Sequence, residues 1–193
     1  MPPVSRIRLL IEERNAAVPC RYQEANDTTG NARLFPLLRL VTQAQFVSQT
    51  HGKNSVPLRA LLDTGAWITA IETQTWQEYD REGFIEHHPL MNPQFAFIGG
   101  NSTMYRLGRV WLRLFDLLPG QINWLPTVPV ICQLLENKEC RLSAPILLGL
   151  HLGVLEGRRL TREPIPPLTT PIPLNRSSDV GAWYGQEWYL ESA

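Results

Sequence analysis

The sequence predicts a mainly β fold with one or two short helices. Apolar runs rich in β-branched residues stop at stretches typical of turns, such as "SQTHGKNS" at residues 48–55. Apolar side chains also alternate with a period of two over residues 110–115, which is typical of a strand. Helical spacing of apolar residues is found in one stretch, residues 70–84. We therefore expect strands to dominate the fold.

The first two strands are expected to form a hairpin. Residues 33–47 and the run "VPLRALL" at residues 56–62 are both apolar, and a polar loop separates them. The second run leads directly into Asp63, so a carboxylate follows an otherwise buried strand. Because side chains alternate along a strand, Leu61 is expected to share a face with Asp63.

The helix is expected within residues 70–84. Ile71, Trp76 and Tyr79 stand there among charged residues, and Gly83 is typical of a helix end. The pattern predicts a helix of roughly ten residues, close to the average for globular proteins.

A second hairpin is expected over residues 93–118. The Gly-Gly-Asn at residues 99–101 stands at its tip, because a tight turn needs residues that accept a positive φ. A further strand is expected at residues 127–135. The last long apolar segment, residues 144–160, is expected to begin as a strand and to turn helical after Gly149.

Composition divides the chain into three segments. Residues 1–32 are interpreted as an N-terminal extension, in which residues 5–17 form either a helix or a strand. Residues 33–162 are interpreted as the folded domain. Residues 163–193 form a C-terminal tail that is first Pro-rich and then aromatic. The aromatic end is expected to dock on its own domain or on a partner.

Charge and composition argue against several classes of protein. The formal net charge is zero and no basic face is evident, so no nucleic-acid partner is expected. The longest apolar run, residues 144–155, is interrupted by His151 and is too short to cross a membrane. The N-terminus lacks the apolar region of a signal peptide, which predicts a cytoplasmic protein. The three cysteines are accordingly expected to be reduced: Cys20, Cys132 and Cys140.

Three motifs follow one another along the chain: "LLDTGAWIT" at residues 61–69, "FIGGNSTMYRLG" at 97–108 and "ILLGLHLG" at 146–153. With these motifs the chain resembles the retropepsin-like aspartic proteases, whose active-site motif is two apolar residues, Asp-Thr/Ser-Gly-Ala, two variable residues and Thr/Ser. The resemblance implies a closed β-barrel or sandwich of one acid-protease lobe with a flap hairpin. A helix just after the active-site loop is more similar to the cellular and bacterial members than to the retroviral ones.

The resemblance also implies a reaction and a set of site residues. The chain has one Asp-Thr-Gly whereas the reaction needs two carboxylates, so two copies in a homodimer would each contribute the catalytic Asp63. They would hydrolyse a peptide bond of a polypeptide substrate, with no metal and no cofactor. The active-site loop would contain Thr64, Gly65, Ala66 and Thr69, with Thr69 bracing it from behind. The expected substrate-binding residues are Leu61, Ile68, Ile98, Gly99, Gly100 and Leu147.

One departure from the retroviral pattern concerns Trp67 and Leu150. The retroviral proteases carry an acidic residue at the first position and a basic residue at the second, and the two form an ion pair beneath the active site. Both residues are apolar here, which is a consistent exchange because losing one partner alone would leave an unpaired charge. We therefore expect Trp67 and Leu150 to approach each other or to share an apolar cluster.

Other interpretations are compatible with the sequence. Asp63 could form a turn or an N-cap, and the same fold could be a non-catalytic dimerisation or peptide-binding module, or a monomer that never pairs. Adjacent His87 and His88 lack further ligands at metal-binding spacing. A thiol nucleophile at Cys132 or Cys140 lacks a supporting context. Three arginines of the second hairpin are expected to face solvent: Arg106, Arg109 and Arg113.

Overall fold

The computed structural model describes residues 3–17, 34–89, 94–98, 101–118, 121–164 and 186–192. Those ranges contain twelve strands and one helix, so the fold is mainly β as predicted. In chain order the elements are β1 (Arg6–Ala17), β2 (Leu34–Phe46), β3 (Leu58–Leu62), β4 (Thr69–Ile71), α1 (Thr73–Arg81), β5 (Ile85–His87), β6 (Gln94–Ile98), β7 (Asn101–Leu118), β8 (Gln121–Trp124), β9 (Val128–Leu135), β10 (Ile146–Leu148), β11 (Arg158–Pro164) and β12 (Gln186–Ser192).

Helix α1 lies where the sequence predicts it. Its nine residues bury Trp76 and Tyr79 on one face. Trp76 Nε1 donates to the carbonyl oxygen of Leu135 at 2.6 Å, which ties the helix to the end of β9. Gly83 follows with a φ of 77°, a conformation that glycine adopts without strain just past a helix end. Within the described ranges, no helix has the length and apolar character needed to cross a membrane.

Both predicted hairpins are present. Strands β2 and β3 pair antiparallel, and so do β6 and β7. In the second hairpin Ile98 stands opposite Asn101, so Asn101 begins β7 and the connection consists of two residues. Those two residues, Gly99 and Gly100, lie outside the described part of the chain, as does the side chain of Ile98.

The segment after Gly149 corrects a prediction. It is not helical: residues 151–157 form a series of turns that leads into β11. Leu152 and Gly153 have φ values of 56° and 117°, which a right-handed helix cannot contain. Gly153 also passes so close to β9 that an added Cβ would lie 2.1 Å from the carbonyl oxygen of Pro129. Tight packing on β9 therefore overrides the helical tendency of this apolar stretch.

The strands form one extended sheet. Its order is β11-β12-β1-β2-β3-β10-β4-β9-β7-β5, with β6 and β8 also pairing with β7. Most neighbouring strands are antiparallel, but β10 runs parallel to β3 and β4 runs parallel to β9. Strand β2 pairs with β7 in addition to β1 and β3.

The two ends of the chain join this sheet. Residues 6–17 are a strand, which decides between the helix and strand expected for them. Strand β12, from the aromatic tail, lies between β1 and β11. Ile7 and Leu190, from opposite ends of the sequence, are fully buried in the same apolar core. Sheet and core therefore include residues on both sides of the boundaries expected near 33 and 162. Of the four tail aromatics, Trp188 and Tyr189 lie in β12, and Trp183 and Tyr184 lie outside the described residues.

Candidate functional site

The loop that carries Asp63 crosses the end of β10. Strand β3 pairs with one side of β10 and β4 pairs with the other. Because β3 ends at Leu62 and β4 begins at Thr69, residues 63–68 have to pass over the last residue of β10, Leu148. The sheet topology thus forces the loop into contact with whatever follows β10.

Four hydrogen bonds fasten the loop to that following segment. The Asp63 N–H donates to the carbonyl of Leu148 at 2.9 Å, and the Leu150 and His151 N–H groups each donate at 3.0 Å, to the carbonyls of Ala66 and Trp67 respectively. The fourth bond runs from the Gly149 N–H to Thr69 Oγ1 at 3.2 Å. Thr69 is fully buried, so its hydroxyl holds the loop from behind.

Gly149 is required by the closeness of this contact. A Cβ built on it would lie 2.4 Å from the carbonyl carbon of Ile68. That distance is below any real contact between these atoms, so a side chain at this position would push the loop away from β10.

Asp63 itself has the geometry of a turn-forming aspartate. Its Oδ1 accepts the N–H of Gly65 at 3.0 Å, and the Ala66 N–H donates to its carbonyl at 3.2 Å. It does not cap a helix, because α1 begins at Thr73 and Glu72 is the residue before it. The turn leaves the carboxylate partly exposed, and none of the described residues donates to its Oδ2. The same side chain can therefore shape the loop and act on a ligand.

A cleft of about 640 Å³ opens beside this loop. Within the β6–β7 hairpin, Ala96 reaches the cleft, so the hairpin borders the same space as Asp63. Leu61 and Leu147 form one wall, and both pack with Val41 and Ala144 in a small apolar cluster. The predicted site residues that line the cleft are Leu61, Asp63, Thr64, Gly65, Ala66, Ile68 and Leu147.

Several residues that line the cleft could not be predicted from the sequence. Arg39 comes from β2, while Arg141 and the two residues after it come from the loop following β9. Arg59 holds that loop in place, because its Nη1 donates to the carbonyl of Ser143 at 2.7 Å. These contacts join residues about 80 positions apart through long-range pairing, and no local pattern could have revealed them.

The two arginines, Arg39 and Arg141, bring positive charge to the cleft lining. No acidic side chain of the described residues forms an ion pair with Arg39 or Arg141. Glu12 stands opposite Arg39 in the strand register, but its carboxylate pairs with Arg59 instead. The cleft can therefore attract a negatively charged ligand group.

The segments that carry Trp67 and Leu150 lie side by side, because the Leu150 N–H donates to the carbonyl of Ala66 and the His151 N–H to that of Trp67. The two side chains nevertheless separate. Leu150 packs against the main apolar core. Trp67 is 73% exposed and stacks on His151, with ring centroids 4.2 Å apart. The shared apolar cluster that the sequence suggested does not form, because the indole turns outward onto the neighbouring histidine.

The alternative nucleophile and metal ligands do not assemble into sites in the described part of the chain. Cys132 is fully buried, and burial raises the pKa of its thiol to about 12, so it is not a nucleophile at neutral pH. Cys140 is also buried, and both thiols are free. His87 Nε2 lies 2.8 Å from Asp80 Oδ1, and no group of three metal-binding side chains occurs among the described residues.

The three arginines of β7 are engaged outside the cleft. Arg109 pairs with Glu86 at 2.5 Å, and Arg106 pairs with Glu136. Arg113 lies over the ring of Trp124, 5.6 Å from its centroid. They are partly or largely exposed, and the positive charge at the cleft comes from Arg39 and Arg141 instead.

Comparison with known proteins adds no further assignment: no protein-family model, no curated protein and no solved structure matches this chain.

Proposed function

We propose that this chain is an aspartic endopeptidase whose active site forms between two copies, each contributing Asp63. The observation that carries the proposal is the setting of that residue. Its loop is hydrogen-bonded to residues 148–151 at four points, and it borders a cleft of about 640 Å³. A carboxylate held this firmly beside a ligand-sized space meets the positional demands of proton transfer.

The chemistry needs the second copy. Two carboxylates brought together on a two-fold axis repel each other when both are ionised, so they share one proton. The ionised Asp63 takes a proton from a water molecule, and the oxygen of that water attacks the carbonyl carbon of the peptide bond. The protonated Asp63 donates to the carbonyl oxygen. The resulting tetrahedral intermediate collapses when the nitrogen receives a proton and the C–N bond breaks.

The strand connectivity supports an acid-protease lobe. The pairings lead from β2 through β3, β10, β4, β9 and β7 and then return to β2. A circuit of this kind is what a closed barrel requires. We propose the retropepsin-like lobe as the specific form of this circuit, with the Asp63 loop between β3 and β4.

The position of the β6–β7 hairpin supports the proposal that it acts as a flap. Ala96 lines the cleft, whereas its neighbour Phe95 is 65% exposed and stands opposite Met104 in the register. One face of the hairpin is therefore turned toward the cleft and the other away from it. Closure of such a hairpin over a bound peptide would exclude water from the reacting bond.

The cleft walls suggest the substrate class. Leu61 and Leu147 favour an apolar residue near the bond that is cut. Arg39 and Arg141 favour acidic residues farther along the peptide. In a two-fold dimer both sets of lining residues occur twice, so we expect acidic residues on both sides of an apolar centre.

Incubation of the purified chain with a mixture of unfolded polypeptides, followed by mass spectrometry of the products, tests the proposal. We expect cleavage at apolar sites, with a specific activity that rises with enzyme concentration as dimers form. The control is Asp63→Asn, which keeps the size of the side chain and removes the carboxylate. Equal cleavage by this variant would refute the proposed function, while a dimer that holds peptides uncut would support a non-catalytic binding module.

A further inference from the structure

A second cavity lies between α1 and the loop that follows β9. Its volume is about 580 Å³, which is within the range of ligand-binding cavities. Its lining comes from residues 72–81, which include α1, and from residues 138–141 of the loop. We call it the α1 cavity. Arg141 lines both this cavity and the cleft beside Asp63, so its side chain borders both spaces.

Hydrogen bonds hold the two sides of the α1 cavity in place. Thr73 Oγ1 donates to the carbonyl of Leu135 at 2.7 Å, which fixes the start of α1 on the end of β9. The Leu142 N–H donates to Glu72 Oε1 at 2.6 Å, and the Glu72 N–H donates to the carbonyl of Pro145 at 3.1 Å. These bonds tie the loop to the same end of the helix. The cavity is therefore already formed, and a ligand does not have to order it.

Positive charge predominates among the residues that line the α1 cavity. Arg81, Lys138 and Arg141 are exposed, and no carboxylate in the described ranges forms an ion pair with them. Two glutamates also line the cavity, but Glu72 already accepts a backbone N–H of the loop. Only Glu78 stands against the three cations, so the cavity favours a ligand with negative charge.

The remaining polar side chains fit a peptide better than a simple anion. Gln74 and Gln77 line the α1 cavity, and a side-chain amide both donates and accepts hydrogen bonds. A peptide backbone offers N–H and C=O groups to match them, whereas a phosphate group offers chiefly acceptor oxygens. An acidic peptide would bring carboxylates for the cations and a backbone for the amides.

We propose that the α1 cavity binds an acidic segment of the polypeptide substrate, which reaches it by passing Arg141 at the edge of the cleft. The inference rests on the proposed function, since that function supplies the polypeptide. Lys138 and Arg81 receive the carboxylates that lie beyond Arg141, and Glu78 limits the affinity by repelling them. Exposed charge pairs each contribute little, so the three cations together should strengthen binding by about three- to tenfold.

Fluorescence anisotropy of labelled peptides tests the proposal on the full chain, with Asp63→Asn as the background so that the peptides stay intact. The two peptides share one apolar core, and their extensions consist of Glu in one and of Gln in the other. At low salt we expect the Glu peptide to bind about three- to tenfold more tightly than the Gln peptide. Lys138→Glu should abolish most of this preference and leave binding of the Gln peptide unchanged.

Lys53→Glu is the matched control. Lys53 is exposed and lies outside the lining of both cavities, and its substitution changes the net charge by the same amount. This variant should keep the preference for the Glu peptide. Glu78→Gln should increase the preference, because it removes a like charge while keeping the size of the side chain.

Three results would overturn the proposal. They are equal binding of the two peptides by the background chain, an unchanged preference in Lys138→Glu, and an equal loss of preference in Lys53→Glu. Inorganic phosphate should compete with the Glu peptide no better than chloride of the same ionic strength, and stronger competition would assign the cavity to a free anion instead. The proposed function fails on a different result, namely cleavage by Asp63→Asn equal to that of the parent.

Discussion

Two aspartates in this protein occupy opposite environments. Asp116 on β7 is 3% exposed, and its Oδ2 accepts the Arg8 N–H of β1 at 3.0 Å. Burial raises the pKa of the Asp116 carboxyl against the opposing effect of that hydrogen bond and of the Arg8 charge. Asp63, in contrast, is partly exposed and borders an open cleft.

The two carboxylates differ in what each of them can contact. Asp116 holds the N-terminal strand against the sheet, and no cleft residue lies beside it in the sequence. Asp63 borders the cleft and, in the proposed dimer, would face the Asp63 of the second copy. Its position at the cleft makes Asp63 the candidate site residue, whereas burial and the hydrogen bond to Arg8 make Asp116 a structural residue.

The largest expected effect is a difference in peptide cleavage between variants of Asp63 and variants of Asp116. Asp63→Asn should reduce peptide cleavage by about 10²–10⁴-fold, because in the proposed mechanism this carboxylate exchanges protons with the reacting atoms. Asp116→Asn should leave cleavage in place, since its side chain lies outside the cleft lining. Cleavage rates measured on one unfolded polypeptide at equal dimer concentration test both expectations. Loss of activity in Asp116→Asn with an intact fold would reverse the roles assigned here.

Two glycines of the Asp63 site should respond in opposite ways. Gly149→Ala should destabilise the fold by about 1–3 kcal/mol, because its Cβ would meet the backbone of Ile68 at 2.4 Å. At Gly65 an added Cβ would meet only Asp63 Oδ1, at an ordinary 3.4 Å. Gly65→Ala should therefore unfold close to the parent in denaturant while cutting peptides more slowly. Equal stability of the two variants would show that the loop does not depend on β10.

The hydroxyl of Thr69 should stabilise the fold through its buried hydrogen bond. Thr69→Val keeps the shape of the side chain but leaves the buried Gly149 N–H without its acceptor, at a cost of about 1–3 kcal/mol. Thr69→Ser keeps the hydroxyl and should retain more of the stability. Urea unfolding of both variants measures the difference. If valine were tolerated better than serine, methyl packing and not the hydrogen bond would hold the loop.

The smallest expected effect is the pH dependence of stability that Asp116 contributes. Because the folded state raises the pKa of this carboxyl above 3.8, its favourable contribution is complete below that pH and is lost as pH rises through the raised value. Asp116→Asn retains an acceptor for the Arg8 N–H and has no charge to bury. Its melting temperature relative to the parent should therefore increase from acidic to neutral pH. A difference in melting temperature between the two proteins that stays constant from acidic to neutral pH would contradict the raised pKa of Asp116.

Local patterns predicted the elements that neighbouring residues can specify. The spacing of Trp76 and Tyr79, with Gly83 as the stop, located α1 because a helix is stabilised within a short stretch of chain. The two hairpins followed equally from their turn residues and flanking strands. The helix expected after Gly149 was wrong because the conformations of Leu152 and Gly153 are imposed by β9, about 20 residues away in the sequence.

The candidate site likewise combines features that the sequence predicts with features that only the fold creates. By itself the sequence determined that a carboxylate ends a buried strand, that Gly65 and Thr69 stand at set distances from it, and that the chain holds one such motif. Only the tertiary structure decided that Gly149 and Thr69 would hold the loop, that Arg39 and Arg141 would line the same cleft, and that Trp67 would turn outward. The reason is physical: turns and strand alternation depend on adjacent residues, whereas a cleft depends on strands that pair across the whole length of the chain.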